Sequence, residues 1–308
     1  MSELNDKVSK SIERLKAYEP PEGYYLAFSG GKDSVVCKAL LDMAGVKYDA
    51  TYRVTSVDPP ELIRFIKNQH PDVKREVPRY DPDYRNEKLA GKPITMWNLI
   101  PEERYPPTRI ARYCCEELKE SGGDGRFLVT GVRWAESVNR QKNQGLVTVI
   151  GKTAARELGD HPDFMLTNRG GVVLTNDNTD NRRMIEQCYR RHKTTLNPII
   201  EWKDEDVWDF IRAHSIPYCS LYDEGMERIG CIGCPMARNK RRDAQFARWP
   251  SYKQSYISAF GRMLQEREKH GLTWGDGTFS GKDIFNWWME YDVMPGQINF
   301  FEDYEEDE

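Results

Sequence analysis

Residues 29–34 read Ser-Gly-Gly-Lys-Asp-Ser, set between the apolar run YYLAF and the helically spaced VVCKALLDMAG. Glycine accepts a positive φ and puts no Cβ in the way of a ligand. Successive amide N–H groups entering a helix then face one concavity, and the helix dipole adds positive charge there. The chemistry this predicts is oxyanion binding. Gly30 and Gly31 supply bare amides, Ser29 and Ser34 supply hydroxyl donors, and Lys32 supplies charge. Asp33 would repel a bare phosphate, which points either to a divalent cation such as Mg2+ or to a helix-capping role. The spacing is neither G-x-x-x-x-G-K-[ST] nor G-x-G-x-x-G. On the local residues alone, a plain Gly-Gly turn with a capping aspartate stays open.

Seven cysteines form the second group. Cys37, Cys188 and Cys219 stand alone, Cys114 and Cys115 are adjacent, and Cys231 and Cys234 form C-x-x-C. A C-x-x-C turn directs two sulfurs at one metal, and four thiolates suit zinc or an iron–sulfur cluster. Zinc ligands are more often spaced by two to four residues than adjacent. A redox pair or unrelated free thiols remain alternatives.

These residues need elements to position them. Residues 6–18 are predicted as an amphipathic helix with Val8, Ile12 and Leu15 on one face, stopped by Pro20 and Pro21. A strand over 24–28, a helix over 34–44 stopped by Gly45, and a strand over 48–54 follow. Asp58 and Pro59 are expected to open a helix through ELIRFIKNQH. Further strands are expected at 73–77 and 126–132, then a helix at 134–142. Residues 143–200 are mixed, with VVLT a short strand. Asp204 is expected to cap a scaffold helix through EDVWDFIRAH, with Trp202 and Trp208 in the core. The later part reads as mostly helical, with Tyr252, Tyr256, Ile257, Phe260, Met263 and Leu264 on one face. Strand–helix alternation with short links implies an α/β fold of parallel strands joined by right-handed crossovers.

The chain has 308 residues, enough for a real core, and a net charge of −4, which excludes a global field for nucleic acid. No run approaches the roughly 20 apolar residues of a membrane helix, and MSELNDKVSKSIERLK lacks a signal-peptide core. A cytoplasmic protein is expected. Two basic segments, 182–193 and 237–249, are either a nucleic-acid surface or solvated helix faces. The expected divisions are an N-terminal helix (1–21), a nucleotide-binding domain with the cysteines (22–240), a helical extension (241–300) and an acidic, disordered tail (301–308).

SGGKDS resembles the pyrophosphate loop of the adenine-nucleotide α-hydrolase (PP-loop) superfamily. Four further stretches resemble one branch of it, the phosphoadenosine phosphosulfate (PAPS) reductase family. They are SVDPPELIRFI (56–66), GVRWAES (131–137), NPIIEWKDEDVWDFI (197–211) and YCSLYDEGMERIGCIGCP (218–235). They occur in family order across about residues 22–240. The resemblance implies a doubly wound parallel sheet with nucleotide (ATP, PAPS or APS) at the carboxyl ends of the strands. It implies that Ser29, Gly30, Gly31, Lys32, Asp33 and Ser34 hold phosphate and that Val54 flanks adenine. Arg133 would grip phosphate or sulfate, with Glu136 and Ser137 opening the next helix and Arg140 either a second cation or a surface residue. Lys32, Asp33 and Arg133 are the expected catalytic residues. RYCCEELK and GCIGCP resemble segments that hold a 4Fe–4S cluster in part of the family, making Cys114, Cys115, Cys231 and Cys234 its ligands, with Arg112, Lys119 and Arg228 nearby. The chain departs from the reductases of the family in one respect. They attack sulfate sulfur with a C-terminal cysteine, and no cysteine follows Cys234 here. Three functions follow: sulfonucleotide reduction with a thioredoxin-like donor, ATP-driven sulfur transfer to a nucleic acid or small acceptor, or non-catalytic nucleotide or zinc binding.

Overall fold

A computed structural model describes residues 2–150, 163–167, 171–174, 192–275 and 277–290. Cys188, nearly all of the basic segment 182–193 and the acidic tail lie outside the described residues. The chain forms two compact units. The first combines Met1–Val54, Pro60–Glu76 and Ser121–Ile229, and the second combines Thr55–Pro59, Val77–Glu120 and Gly230–Glu308.

The first unit is built on an 8-stranded sheet. Strand β1 (Tyr24–Ala27) buries Tyr24 and Leu26 completely and leads into helix α2 (Lys32–Ala44), which follows the N-terminal helix α1 (Ser2–Ala17). Val35, Val36, Leu40 and Leu41 form the buried stripe of α2. Gly45, at φ 68°, ends it and donates to the carbonyls of Leu41 and Asp42. Strand β2 (Tyr48–Arg53), helix α3 (Pro60–Gln69) and β3 (Lys74–Glu76) continue the alternation. Strands β4 (Phe127–Val129), β5 (Val147–Ile150), β6 (Phe164–Leu166), β7 (Val172–Leu174) and β8 (Lys193–Leu196) complete the sheet.

The strand order is β3-β2-β1-β4-β8-β5-β7-β6. The first five in that order run parallel. From β1 the chain winds outward through β2 and β3, then returns to lay β4 on the other side of β1. The two carboxyl ends at β1 and β4 therefore flank a topological switch point, where open α/β sheets bind ligands. The sheet is mixed rather than wholly parallel, because β5, β7 and β6 add antiparallel. Residues 167–171 between β6 and β7 are too few for the crossover of a dozen or more residues that a parallel pair needs.

Three helix starts differ from expectation. Helix α3 begins at Pro60, one residue later than a helix capped by Asp58 with Pro59 first. Helix Asp204–Ala213 takes Lys203 as its cap and Asp204 as its first residue. The 134–142 helix breaks into a 3-10 turn, Trp134–Glu136, and helix Val138–Asn143, because Ser137 caps the second piece through the Arg140 amide at 3.2 Å.

In the second unit, helices Met96–Glu103, Asn239–Arg248, Pro250–Lys269 and Gly281–Trp288 surround Phe246, Tyr256, Phe260, Phe285 and Trp288. The basic segment 237–249 is partly core. Arg242 is 2% exposed, stacks 4.1 Å from the Trp288 ring and donates to the Trp288 carbonyl at 3.0 Å.

The end of β4 presses on the start of α2. A Cβ at Gly131 would stand 2.8 Å from Asp33 Cβ and 2.9 Å from the Asp33 carbonyl carbon. Gly131→Ala is expected to lower the stability of the first unit by about 1–3 kcal/mol, the usual cost of overpacking against backbone. Urea unfolding of the variant beside wild type measures it, and equal midpoints would contradict the close approach.

Candidate functional site

Gly30 adopts φ 73°, and a Cβ there would meet Leu62 and Ile66 at 2.8 Å, so glycine alone fits without shifting α3. Gly31 caps α2 with extended backbone. Hydroxyls brace the loop from within. Ser34 Oγ donates to the Gly31 carbonyl at 2.9 Å and accepts from the Ser29 amide at 3.2 Å, while Ser29 Oγ accepts from the Gly31 amide at 3.4 Å. The amides of Gly30, Asp33 and Ser34 meet no acceptor among the described residues. They form a ready anion cradle at the N-terminus of α2.

Beneath it lies an ion network. Lys32 is 6% exposed and Arg133 is 2% exposed. Asp204 Oδ1 takes both, at 3.1 Å from Lys32 Nζ and 2.8 Å from Arg133 Nη2. Arg133 Nε also donates to Asp33 at 2.7 Å, and Nη1 to the Trp202 carbonyl at 3.3 Å. Lys32 Nζ reaches the Glu227 carbonyl at 3.4 Å. Burial works to raise the Asp204 pKa, but hydrogen bonds and charge from Lys32 and Arg133 hold the carboxyl below its ordinary range. Asp204, expected to be scaffold, is thus the hub of the site; its position as the first helical residue, rather than the cap, turns its side chain toward these cations. Trp202 is core as expected, and Trp208 is half-buried, with its ring edge-on to Tyr218 and Tyr222.

Glu136 accepts from the Arg133 amide at 3.3 Å, pairs with Arg140 and lies 3.8 Å from Arg228. Burial, together with the charges of Arg228 and Arg133, lowers Arg140 to about 10. Like charges are crowded here, as in a site shaped for an anion. Arg228 therefore serves this side of the first unit. Val54, half-buried after β2, donates to the Glu76 carbonyl at 2.9 Å.

Tyr222 escaped the sequence reading. Its hydroxyl accepts the Lys32 amide at 2.9 Å, and Lys32 Nζ sits 5.8 Å from its ring centre. Burial pushes the phenol up to about 12. No local pattern links residues 190 apart.

The cysteine pairs belong to the second unit. Cys114 and Cys115 lie on the one-turn helix Tyr113–Cys115, and the Cys234 amide donates back to the Cys231 carbonyl at 3.3 Å. Cys231 Sγ stands 3.7 Å from Asp58 and 3.9 Å from Thr55. The Cys114 hydrogen bond, and then Arg112, draw the Cys115 thiol below its usual range. Burial lifts Cys231 to about 12 against the pull of Lys119. All-sulfur donors beside two cations match the chemistry of a thiolate-bound group. Among the described residues, however, no three His, Cys, Asp or Glu side chains converge so as to hold a metal ion.

The phosphoadenosine phosphosulfate reductase domain model matches residues 23–237. The chain belongs to this family. An adenosine 5'-phosphosulfate reductase of Oceanobacillus iheyensis is 38% identical over 233 residues, covering 72% of this chain and 75% of that protein. An uncharacterised protein of Methanocaldococcus jannaschii is 26% identical over 252 residues, covering 80% of this chain and 47% of its own length. The chain spans 47%, 57% and 45% of the first curated relatives it matches, about half of each. The solved phosphate complex of PAPS reductase from Candida auris aligns with a TM-score of 0.40 at 14% identity, over 72% of this chain and 88% of that one. No helix among the described residues is long and apolar enough to cross a membrane.

The family's loop and the Asp204 network carry a pH signature. Asp204 has a folded pKa below its ordinary 3.8, so its contribution to stability is present above that value and is lost as pH falls through the lower folded value. Asp204→Asn should destabilise the protein by about 1–2 kcal/mol at neutral pH, a figure discounted because its side chain is 54% exposed. Thermal melts of the two proteins should converge as pH falls below the ordinary carboxylate value of 3.8 through the lower folded one. A difference that persists undiminished in acid would contradict the assignment.

Proposed function

We propose that this chain is a PP-loop enzyme that binds an adenine sulfonucleotide, APS or PAPS, and acts on its phosphosulfate group. The observation that carries this reading is the amide cradle of Ser29–Ser34 at the switch point of the sheet, above the buried Lys32. In this reading the Gly30, Asp33 and Ser34 amides take the phosphate oxygens and Lys32 supplies charge where negative charge gathers. The guanidinium donors of Arg133 already face Asp33, Asp204 and the Trp202 carbonyl. Arg133 therefore acts by positioning Asp33 and Lys32 rather than by gripping phosphate, and Arg140 with Arg228 supplies the second cationic contact. Asp33 is the group that would meet a Mg2+ ion carried in with the nucleotide. Val54 borders the adenine side.

Cys114, Cys115, Cys231 and Cys234 would hold a 4Fe–4S cluster; their donor chemistry supports it, as does the electrostatic interaction of Cys114 with Cys115, Cys231 and Cys234. When bound, such a cluster supplies fixed charge and electron-transfer capacity. The chain's own role is to present four thiols, with Arg112 and Lys119 easing their deprotonation.

Reduction needs a thiol to attack sulfur. Cys37 and Cys219 are fully buried with their thiols raised by burial, so neither is a competent nucleophile in this fold. In this reading a thioredoxin-like partner brings the thiol, Cys188 lying outside the described residues. The same observation favours a second reading, in which ATP is cleaved to AMP and pyrophosphate and sulfur passes to a nucleic acid or small acceptor.

Calorimetric titration with APS should show binding that weakens about a hundredfold in Lys32→Ala, the loss of a charged hydrogen-bonding contact. Sulfite released from APS with a dithiol donor marks the first reading, and pyrophosphate released from ATP marks the second. Neither product, in protein that binds APS normally, would reject both reactions. Anaerobically purified protein should show broad visible absorption that Cys231→Ser removes, and colourless protein with bound zinc would reject the cluster.

A further inference from the structure

We propose that Tyr222 is a ligand-binding residue that relays the first amide of α2 to an oxyanion seated on Ser29–Ser34. The inference rests on the reading of that loop as a phosphate site and adds a contact to it.

Three loop amides are already engaged by hydroxyl oxygens: Ser29 by Ser34, Gly31 by Ser29, and Lys32 by Tyr222. The two serines belong to the loop itself. Tyr222 is brought in by the 3-10 turn Ser220–Tyr222, from the far end of the first unit's sequence. Its ring edge contacts Trp208 at 5.1 Å and fixes its direction. The position a Gly31 Cβ would occupy lies 3.4 Å from the hydroxyl, so a larger residue at 31 would crowd it.

A phenol has one proton to donate and an oxygen that accepts. The oxygen accepts the Lys32 amide at 2.9 Å and is also approached by the Ile229 backbone. Among the described residues the proton has no acceptor. An O–H whose oxygen accepts from a helix-terminal N–H is polarised toward stronger donation. Elevation of the phenol by burial keeps that proton in place across the physiological range. The proton borders the same cradle as the unengaged Gly30, Asp33 and Ser34 amides. The class of ligand that completes all four donors is a phosphate ester or anhydride.

An alternative use of the same geometry predicts the opposite sign. If Tyr222 merely fills the Lys32 amide until an anion displaces it, removing the hydroxyl frees a donor and tightens binding. Calorimetric titration with inorganic pyrophosphate, AMP and adenosine, on wild type and Tyr222→Phe, separates the two. Phenylalanine keeps the ring against Trp208, so the variant should melt with wild type. The relay predicts about a ten- to hundredfold loss of affinity for pyrophosphate and AMP, the range for a hydrogen bond to a charged group, with adenosine unchanged. Unchanged or tighter anion binding in Tyr222→Phe, with Lys32→Ala still defective, would overturn the relay and leave the phosphate loop standing. Equal weakening toward adenosine would assign Tyr222 to packing and also overturn it. Wild type that binds neither anion would remove the loop reading and the relay together.

Discussion

One carboxylate oxygen, Asp204 Oδ1, holds two buried cations that arrive from different parts of the chain. Lys32 comes from the start of α2 and Arg133 from the turn after β4, while Asp204 itself opens the helix after β8. Cations this far from water are stable only when paired, and removing one partner of such a set costs more than the set contributes as a whole. The shared oxygen therefore ties the carboxyl ends of β1, β4 and β8 into one rigid rim. The strand order alone would bring these ends near one another, but it would not fix where the lysine ammonium points.

The same arrangement balances the charges of the buried Lys32 and Arg133. Lys32, Arg133, Asp33 and Asp204 cancel within the network, and the remaining cations, Arg140 and Arg228, share Glu136. Positive potential is thus presented on one side by guanidiniums and on the other by bare amides, which need no counter-charge of their own. Donors held this way are already oriented before any anion arrives. An acidic chain can host such a site because the field that matters is local.

Much of the fold was legible because it rests on short-range physics. The Gly30 turn, the stop at Gly45, the buried runs of β1 and β2 and the stripe of α2 all follow from neighbours within a few residues. The loop residues were legible for the same reason, since glycine and serine beside a helix start leave few alternatives. What the sequence concealed is what tertiary approach decides. Asp204 looks like an ordinary helix-capping aspartate, and only the β8–β4–β1 adjacency makes it a counter-ion. Tyr222 sits in a polar stretch with no periodicity to mark it. Arg133 was recognised as important, but its role shifted from ligand grip to support once its donors were seen to be spent on Asp33, Asp204 and the Trp202 carbonyl. Strand β7 was anticipated in VVLT, whereas β5, β6 and β8, and the antiparallel direction of β5, β7 and β6, were missed because runs of three or four residues are too brief for a pattern to declare them.

Membership of the reductase family does not by itself settle the reaction, and the cysteines show why. A phosphate cradle selects for a class of ligand by charge and shape, whereas reduction at sulfur demands a thiolate that can reach the atom. Burial penalises the thiolate form of Cys37, Cys219 and Cys231 alike, and Cys115 and Cys231 have a cation beside them as well. Arg112 next to Cys115 and Lys119 next to Cys231 each pull the neighbouring thiol toward its charged form. The described residues place the amide loop and its ion network in the first unit and the two cysteine pairs in the second.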